Sequence, residues 1–382
     1  MKIAMIGQKR VPSREGGIEI VVEELSARMV ELGHEVVCYN RKGHHVAGEK
    51  FDAVPLKEHR GIAIRSVFTI DKKGLAAFTS SFAAAVMSLF GGFDVIHFHA
   101  EGPCAMLWLP HLFGVRTVAT IHGLDHKRSK WSGFASKYLL LGEKTAVKYA
   151  DEIIVLSRNV KEYFQNTYGR ETNFIPNGIG QPSFRSSREI TNNWQLQKGE
   201  YILYLGRIVP EKGLKYLIRA FNELNTSKKL VIAGGASDSN DFMKELQQLA
   251  KKNPQIIFTG FVQGRMLEEL YSNTYVYVLP SDLEGMPMSL LEAMSYHNCC
   301  LVSDIQECVE VTGESALCFE KGNYKDLRDK LQLLCDSPDL VQEYRKRAEG
   351  RIGDTYGWDK VVKETLKLYG NEEVSDENFN GK

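Results

Sequence analysis

Leu279–Ser295 reads LPSDLEGMPMSLLEAMS. The run leading into it, Tyr275 to Leu279, is apolar and rich in β-branched and aromatic residues, as a short buried strand requires. Beyond Pro287 the spacing becomes helical, with Met288, Leu291 and Met294 on one face. Glu284 therefore falls on a strand-to-helix loop and Glu292 about one turn into the helix. In open α/β sheets ligands bind at the carboxyl ends of strands, where such loops lie. Free backbone N–H groups at Gly285 and its neighbours favour an anion there, because a helix N-terminus is partly positive. Spacing alone also fits a solvated loop glutamate and an ordinary helix-surface glutamate. Gly285, Pro287 and a second segment tip the reading towards a site.

That second segment, Tyr201–Gly213, reads YILYLGRIVPEKG. A strand ends in Gly206, and Arg207 and Lys212 bracket a Pro210 turn just before a helix beginning near Leu214. Arg207 can donate two parallel hydrogen bonds to a phosphate, and Lys212 adds a compact positive charge. With the helix N-terminus at Gly213 the pair suits a diphosphate. In this order and at this separation, the two motifs resemble those of retaining glycosyltransferase family 4. That family carries two glutamates separated by seven residues, here Glu284 and Glu292, preceded about eighty residues earlier by an Arg and Lys pair, here Arg207 and Lys212. The resemblance runs over residues 1 to 370 and implies the GT-B fold: two Rossmann-like, doubly wound parallel-sheet domains facing a central cleft.

The bounds agree with two domains. A chain of 382 residues exceeds what one core usually serves. Its 43% hydrophobic and 25% charged residues are those of a globular protein. Seven cysteines form no CxxC pair and sit mostly in apolar runs, which reads as reduced core thiols in a cytoplasmic protein. Met1 to Gly7 passes directly into a strand, with no secretory pattern. Net charge is zero overall, but residues 1–177 hold 23 Lys+Arg against 18 Asp+Glu and the remainder 25 against 30. A basic first half suits an anionic acceptor or membrane surface, or is mere drift between domains.

In the first half, Lys2–Ile6 reads as a strand and Gly17–Leu32 as an amphipathic helix. The intervening GQKRVPSREGG lacks GxGxxG, which argues against an NAD enzyme. Gly16 and Gly17 instead stand at a helix entry, as a cap or as a place where phosphate approaches the backbone. The family resemblance implies that this loop faces the donor diphosphate, and PSREGGIE is similar to a subgroup of bacterial rhamnosyltransferases and other polysaccharide-assembly enzymes. Glu35–Asn40 and Ile62–Phe68 read as further strands, with His44 and His45 in a solvated loop between them. Leu75–Phe90, LAAFTSSFAAAVMSLF, is too short to span a bilayer and reads as a buried helix, with a helix dipping into a membrane surface as the alternative. His97 and His99 point the same way from one strand, but no Cys or further His completes a zinc set. No metal is expected. The resemblance implies that His122 lies near the transferred sugar, with His99 a lesser candidate for the acceptor side. The loop Asp125–Gly133 is basic, with one Trp, and could meet an acceptor diphosphate or lipid headgroups. A nucleic-acid role would need a broader basic face.

Phe174–Phe184, FIPNGIGQPSF, reads as a linker. Strands follow at Tyr201–Leu205, Lys229–Ala233, Gln255–Phe258, Tyr275–Leu279, Cys299–Val302 and Ala316–Phe319, alternating with helices as in a second parallel sheet. The expected domains are 1–177 for the acceptor and 178–355 for the donor, a helix over 356–370 crossing back with Trp358 as its anchor, and a disordered tail over 371–382. Asp238–Asp241 reads as a helix cap rather than a metal motif. The chain departs from the family at His297-Asn298-Cys299-Cys300, where Gly-x-Pro is usual.

The resemblance implies a retaining, metal-independent transferase with no cofactor beyond a nucleotide-sugar co-substrate. A UDP-sugar is the family's commonest donor, and dTDP-rhamnose or a GDP-sugar stay open. The expected acceptor is a glycan, or a polyprenyl-diphosphate-linked glycan, in bacterial surface polysaccharide synthesis. The enzyme would be cytoplasmic, with peripheral contact on the inner membrane face left open. Glu284 would orient the donor sugar, Arg207, Lys212, Gly16, Gly17, Gly285 and Met286 would compensate the diphosphate, Glu292 would hold the ribose, and Gly260 and Phe261 would border the base. A nucleotide-sugar epimerase and a non-catalytic nucleotide-sugar-binding subunit are the alternatives.

Overall fold

The computed structural model describes residues 1–45, 48, 55–72, 74–127, 133–235, 240–352 and 355–370. The centre of the basic loop (128–132), positions 238 and 239 of the Asp238–Asp241 cap, and the tail 371–382 lie outside the described residues. The chain forms two compact units, Met1–Gly178 with the segment from Trp358 onward, and Ile179–Gly357.

The first unit holds β1 (Lys2–Ile6), β2 (Glu35–Arg41), β3 (Glu58–His59), β4 (Ile62–Val67), β5 (Val95–His99), β6 (Arg116–Ile121), β7 (Glu152–Val155) and β8 (Asn173–Phe174). They lie in the order β3-β4-β2-β1-β5-β6-β7-β8, all parallel except the β3–β4 pair. The second unit holds β9 (Tyr201–Leu205), β10 (Lys229–Ala233), β11 (Ile256–Gly260), β12 (Val276–Leu279), β13 (Cys300–Ser303) and β14 (Leu317–Phe319), in the order β11-β10-β9-β12-β13-β14. Its central strands β9 and β12 are fully or nearly fully buried, which suits a parallel sheet covered by helices on both faces. The two-residue strands β3 and β8 were not expected from the sequence; β8 ends at Phe174, the first position of the stretch read as a linker.

In both units the chain winds outward from the middle in one direction, returns, and winds outward in the other. The first strand thus neighbours the second and a later one that starts the return: β1 pairs with β2 and β5, and β9 pairs with β10 and β12. This is the dinucleotide-fold order, and its switch point is where the order reverses.

Leu75–Ser88 is helical, but its faces are the reverse of a simple buried helix. Ser80, Ser81, Ala84, Ala85 and Ser88 are buried, while Leu75, Phe78, Phe82 and Met87 are exposed and Phe90 just beyond is 86% exposed. The buried serines turn their hydroxyls onto their own helix, Ser80 to Ala76 O at 2.6 Å and Ser81 to Ala77 O at 2.7 Å. That satisfies the hydroxyls and leaves a small-residue face against the core. Trp108–Leu112 packs beside this helix and leaves Leu112 and Phe113 exposed as well. His45, expected in a solvated loop, is buried. All seven cysteines are free, and five are buried.

Trp358 opens the helix Trp358–Leu368 and is buried in the first unit. A Cβ at Gly178 would stand 2.4 Å from its ring, so glycine permits the contact, and the Arg28 guanidinium lies 5.5 Å from the ring centroid. The same segment closes on the sheet through Tyr369, whose hydroxyl is 2.6 Å from His97 Nδ1.

Gly213 is held at φ +66, and a Cβ there would meet Pro280 O at 1.8 Å. Gly213→Ala should therefore destabilise the chain by about 2–4 kcal/mol, backbone strain plus steric clash. Gly169 has φ +63 and open space around it. Gly169→Ala should cost only about 1–2 kcal/mol, and urea unfolding of the two variants compares them.

Candidate active site

The loops leaving β9 and β12 meet at the switch point of the second unit. The β9 loop bends through the Pro210–Lys212 turn, and Glu211 O receives Asp282 N at 2.8 Å from the β12 loop. Lys212 Nζ then lies 2.5 Å from Glu284 Oε1, both side chains largely buried. Ser281 Oγ donates to the same oxygen at 2.6 Å. Ser281 is in turn fixed through its carbonyl, which accepts from Ser303 Oγ at the end of β13. Lys212 and Glu284, 72 positions apart, thus form a buried ion pair. Removing one member of such a pair leaves an uncompensated charge.

Arg207 is half-buried beside this pair in sequence. Its carbonyl accepts from Tyr204 Oη at 2.8 Å, but its guanidinium has no hydrogen-bond or ion-pair partner among the described residues. Gly285 is buried and Met286 half-buried at the entry to the helix Met288–Ser295. Glu292 on that helix accepts from Tyr271 Oη at 2.9 Å, and Tyr271 stacks on Tyr296 with ring centroids 5.4 Å apart. The carboxyl ends of β9, β10 and β11 are joined in series, Gly206 N to Ala233 O at 3.0 Å and Gly234 N to Gly260 O at 2.9 Å. A Cβ at Gly234 would meet Gly206 O at 1.8 Å, so glycines let these three ends close up. Phe261 is half-buried just past Gly260. Ser281 and Tyr271 were not singled out from sequence. Ser281 stands three positions before Glu284, a spacing that suits a local side-chain bond, whereas nothing local signals Tyr271.

The first unit has its own switch point, between β1 and β5. Gly16 is the N-cap of Gly17–Glu31, in extended backbone open to any residue. What glycine supplies there is room, since a Cβ would stand 2.9 Å from Glu19 Oε2. The loop before it is braced by Arg10–Glu15 at 3.0 Å and by Val11 N to Asn40 Oδ1 at 3.0 Å. Glu19 accepts from Lys9 N at 3.0 Å. Gly16 and Gly17 therefore adjoin two buried carboxylates, Glu15 and Glu19, which weakens the pull of this helix end on an anion.

His97 and His99 leave β5 on one face, ring centroids 4.1 Å apart. His97 Nε2 meets Thr120 Oγ1 at 2.7 Å, and His99 Nδ1 meets His122 Nε2 at 3.1 Å. Burial, reinforced by neighbouring imidazole, lowers His97 to about 3 and holds His99 well below the usual histidine range. Burial lowers His122 to about 4 against the opposing pull of Asp125. The three rings are neutral at neutral pH, so the chain can donate and accept hydrogen bonds without adding charge.

His126 and Glu143, which sequence reading missed, meet Glu101 in one buried group of the same unit. His126 N donates to Glu101 Oε2 at 3.0 Å, and His126 Nδ1 lies 3.1 Å from Glu101 Oε1 and 3.3 Å from Glu143 Oε2. Burial, with Asp125 and Glu143 adding to it, pushes the Glu101 carboxyl far above the carboxylate range. No helix among the described residues is long and apolar enough to cross a membrane.

Residues 15–180 match the family described as Glycosyltransferase Family 4, and residues 186–351 match Glycosyl transferases group 1. The chain is 25% identical to an uncharacterised glycosyltransferase of Methanocaldococcus jannaschii, over 97% of this chain and 98% of that one. It is 25% identical to the capsular polysaccharide biosynthesis glycosyltransferase CapM of Staphylococcus aureus, over 64% and 68%. Among solved structures, Anabaena Alr3699/HepE, determined in complex with UDP and glucose, superposes with a TM-score of 0.80 at 16% identity, over 97% and 99%. At that identity the superposition establishes the fold alone.

His122 and His97 bind protons less readily in the folded chain than in the unfolded one, whose histidines titrate near 6.5. Their contribution to stability is complete above pH 6.5 and is lost as pH falls towards their folded values. Each should remove up to about 1.4 kcal/mol per pH unit below 6.5. Urea midpoints between pH 6.5 and 5 should fall for the unaltered chain and fall less steeply for His122→Asn.

Proposed function

The chain belongs to glycosyltransferase family 4 and has the GT-B fold, and from that premise we propose that it transfers a sugar from a nucleoside diphosphate to an acceptor hydroxyl with retention at the anomeric carbon. The observation that carries this reading is the Lys212–Glu284 contact at the switch point of the second unit. A donor diphosphate arriving there competes with Glu284 for the Lys212 ammonium. Arg207, whose guanidinium has no partner among the described residues, takes a second phosphate oxygen in the bidentate manner open to it. Glu284, released by Lys212 but still held by Ser281, accepts hydrogen bonds from the sugar hydroxyls. Glu292, oriented by Tyr271, accepts from the ribose hydroxyls. Gly285 and Met286 present backbone N–H groups to the phosphates, and Gly260 and Phe261 border the base.

The anomeric carbon–oxygen bond breaks as the acceptor oxygen approaches on the same face, and the departing phosphate oxygen takes the acceptor's proton. Lys212 and Arg207 compensate the charge that develops on the leaving group. In the first unit, neutral His122, held by His99, offers hydrogen bonds suited to sugar hydroxyls, and Gly16 and Gly17 leave room at a helix entry. None of these steps requires a metal ion. UDP-sugar is the donor we favour, followed by dTDP-rhamnose and GDP-sugars. A polyprenyl-diphosphate-linked glycan of surface polysaccharide synthesis is the acceptor. The outward Phe78, Phe82, Phe90, Leu112 and Phe113 support peripheral contact of the first unit with the cytoplasmic membrane face.

Thermal unfolding against UDP, GDP, dTDP, ADP and NAD without added metal tests the donor site. One nucleoside diphosphate at ~100 times its dissociation constant should stabilise the chain by about 2.7 kcal/mol, and Lys212→Ala and Glu292→Ala should lose most of that gain. Stabilisation by NAD alone, or by none of the panel, would overturn the assignment, and donor binding without turnover would leave only a binding subunit. Sedimentation with phosphatidylglycerol vesicles tests the apolar face. Phe82→Ser with Phe90→Ser should weaken binding at least tenfold, since each buried aromatic contributes about 1.5–3 kcal/mol.

A further inference from the structure

The first unit buries two carboxylates and an imidazole in one place. Glu101 and Glu143 have no side-chain exposure and His126 has 14%. They come from three elements: the short helix Glu101–Cys104 after β5, the turn Asp125–Lys127 after β6, and the helix Phe134–Tyr149. Each carboxylate has one oxygen occupied by a group other than the imidazole. Glu101 Oε2 accepts from His126 N at 3.0 Å. Glu143 Oε1 accepts from Tyr163 Oη at 3.0 Å and from Tyr168 Oη. The other oxygens, Glu101 Oε1 and Glu143 Oε2, face His126 Nδ1 at 3.1 and 3.3 Å. Among the described residues, Glu143 Oε2 is buried with no hydrogen-bond partner.

We propose that Glu101, His126 and Glu143 bind one divalent transition-metal ion, through Glu101 Oε1, His126 Nδ1 and Glu143 Oε2. Outer hydrogen bonds that occupy one oxygen of each carboxylate and turn the other inward are how protein metal sites orient their ligands. Ligands about 2.0–2.2 Å from a tetrahedral or octahedral ion stand about 3.0–3.5 Å from each other, the spacing of Nδ1 from both inner oxygens. All three residues' ligand atoms fall within 4.8 Å of one another. Once ionised as ligands, two buried carboxylates beside one imidazole need positive charge for company, and a dication supplies it. One nitrogen and two carboxylate oxygens suit zinc and manganese.

The ion is structural. It ties the turn after β6 to the helix Phe134–Tyr149, and that turn begins three positions beyond His122. The proposal does not rest on the sugar-transfer reading, and donor binding does not decide it.

The test uses the full chain without a polyhistidine tag, stripped with EDTA. Elemental analysis after reloading with zinc or manganese should find close to one ion per chain, and the melting temperature should rise by about 5 °C at saturating ion. Glu143→Gln should weaken binding at least a hundredfold and abolish the rise. Should that variant not fold, His126→Gln carries the same comparison. No ion retained by the unaltered chain would overturn the proposal, as would equal uptake by both chains. A melting temperature indifferent to either ion, with Glu143→Gln more stable than the unaltered chain, would also overturn it and leave a proton shared between the two carboxyls.

Discussion

A parallel sheet that reverses its strand order cannot fill the space above its two central strands. The loops from those strands depart in opposite directions, so whatever closes the gap must come from the loops themselves. This constraint operates twice in the chain, between β1 and β5 and between β9 and β12. In the second unit the backbones come so close that Gly213 has no room for a methyl group beside Pro280. That proximity puts an ammonium and a carboxylate 2.5 Å apart in a largely buried setting.

The two switch points handle charge differently. The second carries full charges of both signs and holds them as a pair, with Arg207 in reserve. The first removes charge: three of its histidines are kept neutral by burial, and its buried carboxylates are held by Arg10, by the backbone of Lys9 or by His126. On the proposed reading, the former arrangement receives the polyanionic donor. The latter suits uncharged hydroxyls, which hydrogen-bond equally well as donors and acceptors. On the proposed reading, the two units would divide the labour along these electrostatic lines.

Much of this was legible in the residues. Buried parallel strands announce themselves as unbroken apolar runs, and Lys212 and Glu284 each sit in a strand–loop–helix phrase whose punctuation is glycine and proline. Other features leave no local trace. Tyr271 reaches Glu292 across 21 positions, and Glu143 reaches His126 from a different helix, so neither contact has a spacing to read. The two-residue strands β3 and β8 are too short for a period. Leu75–Ser88 shows a further limit: hydropathy reports how apolar a helix is, not which face the core will take. There the core took the serines and alanines because small side chains allow close approach, and the phenylalanines were left outside.

The bond between Tyr369 and His97 spans 272 positions. A ribosome finishes β1 to β8 long before it makes Tyr369, and at roughly 5–20 residues per second the intervening unit takes about 10–40 s to appear. During that interval the nascent first unit holds a buried histidine without its hydroxyl partner, and the groove awaiting the helix Trp358–Leu368 stays open to water. The second unit, continuous in sequence, can complete itself as it emerges. The portion synthesised first is therefore the one that finishes folding last, and truncating the chain before Trp358 would trap it at that stage.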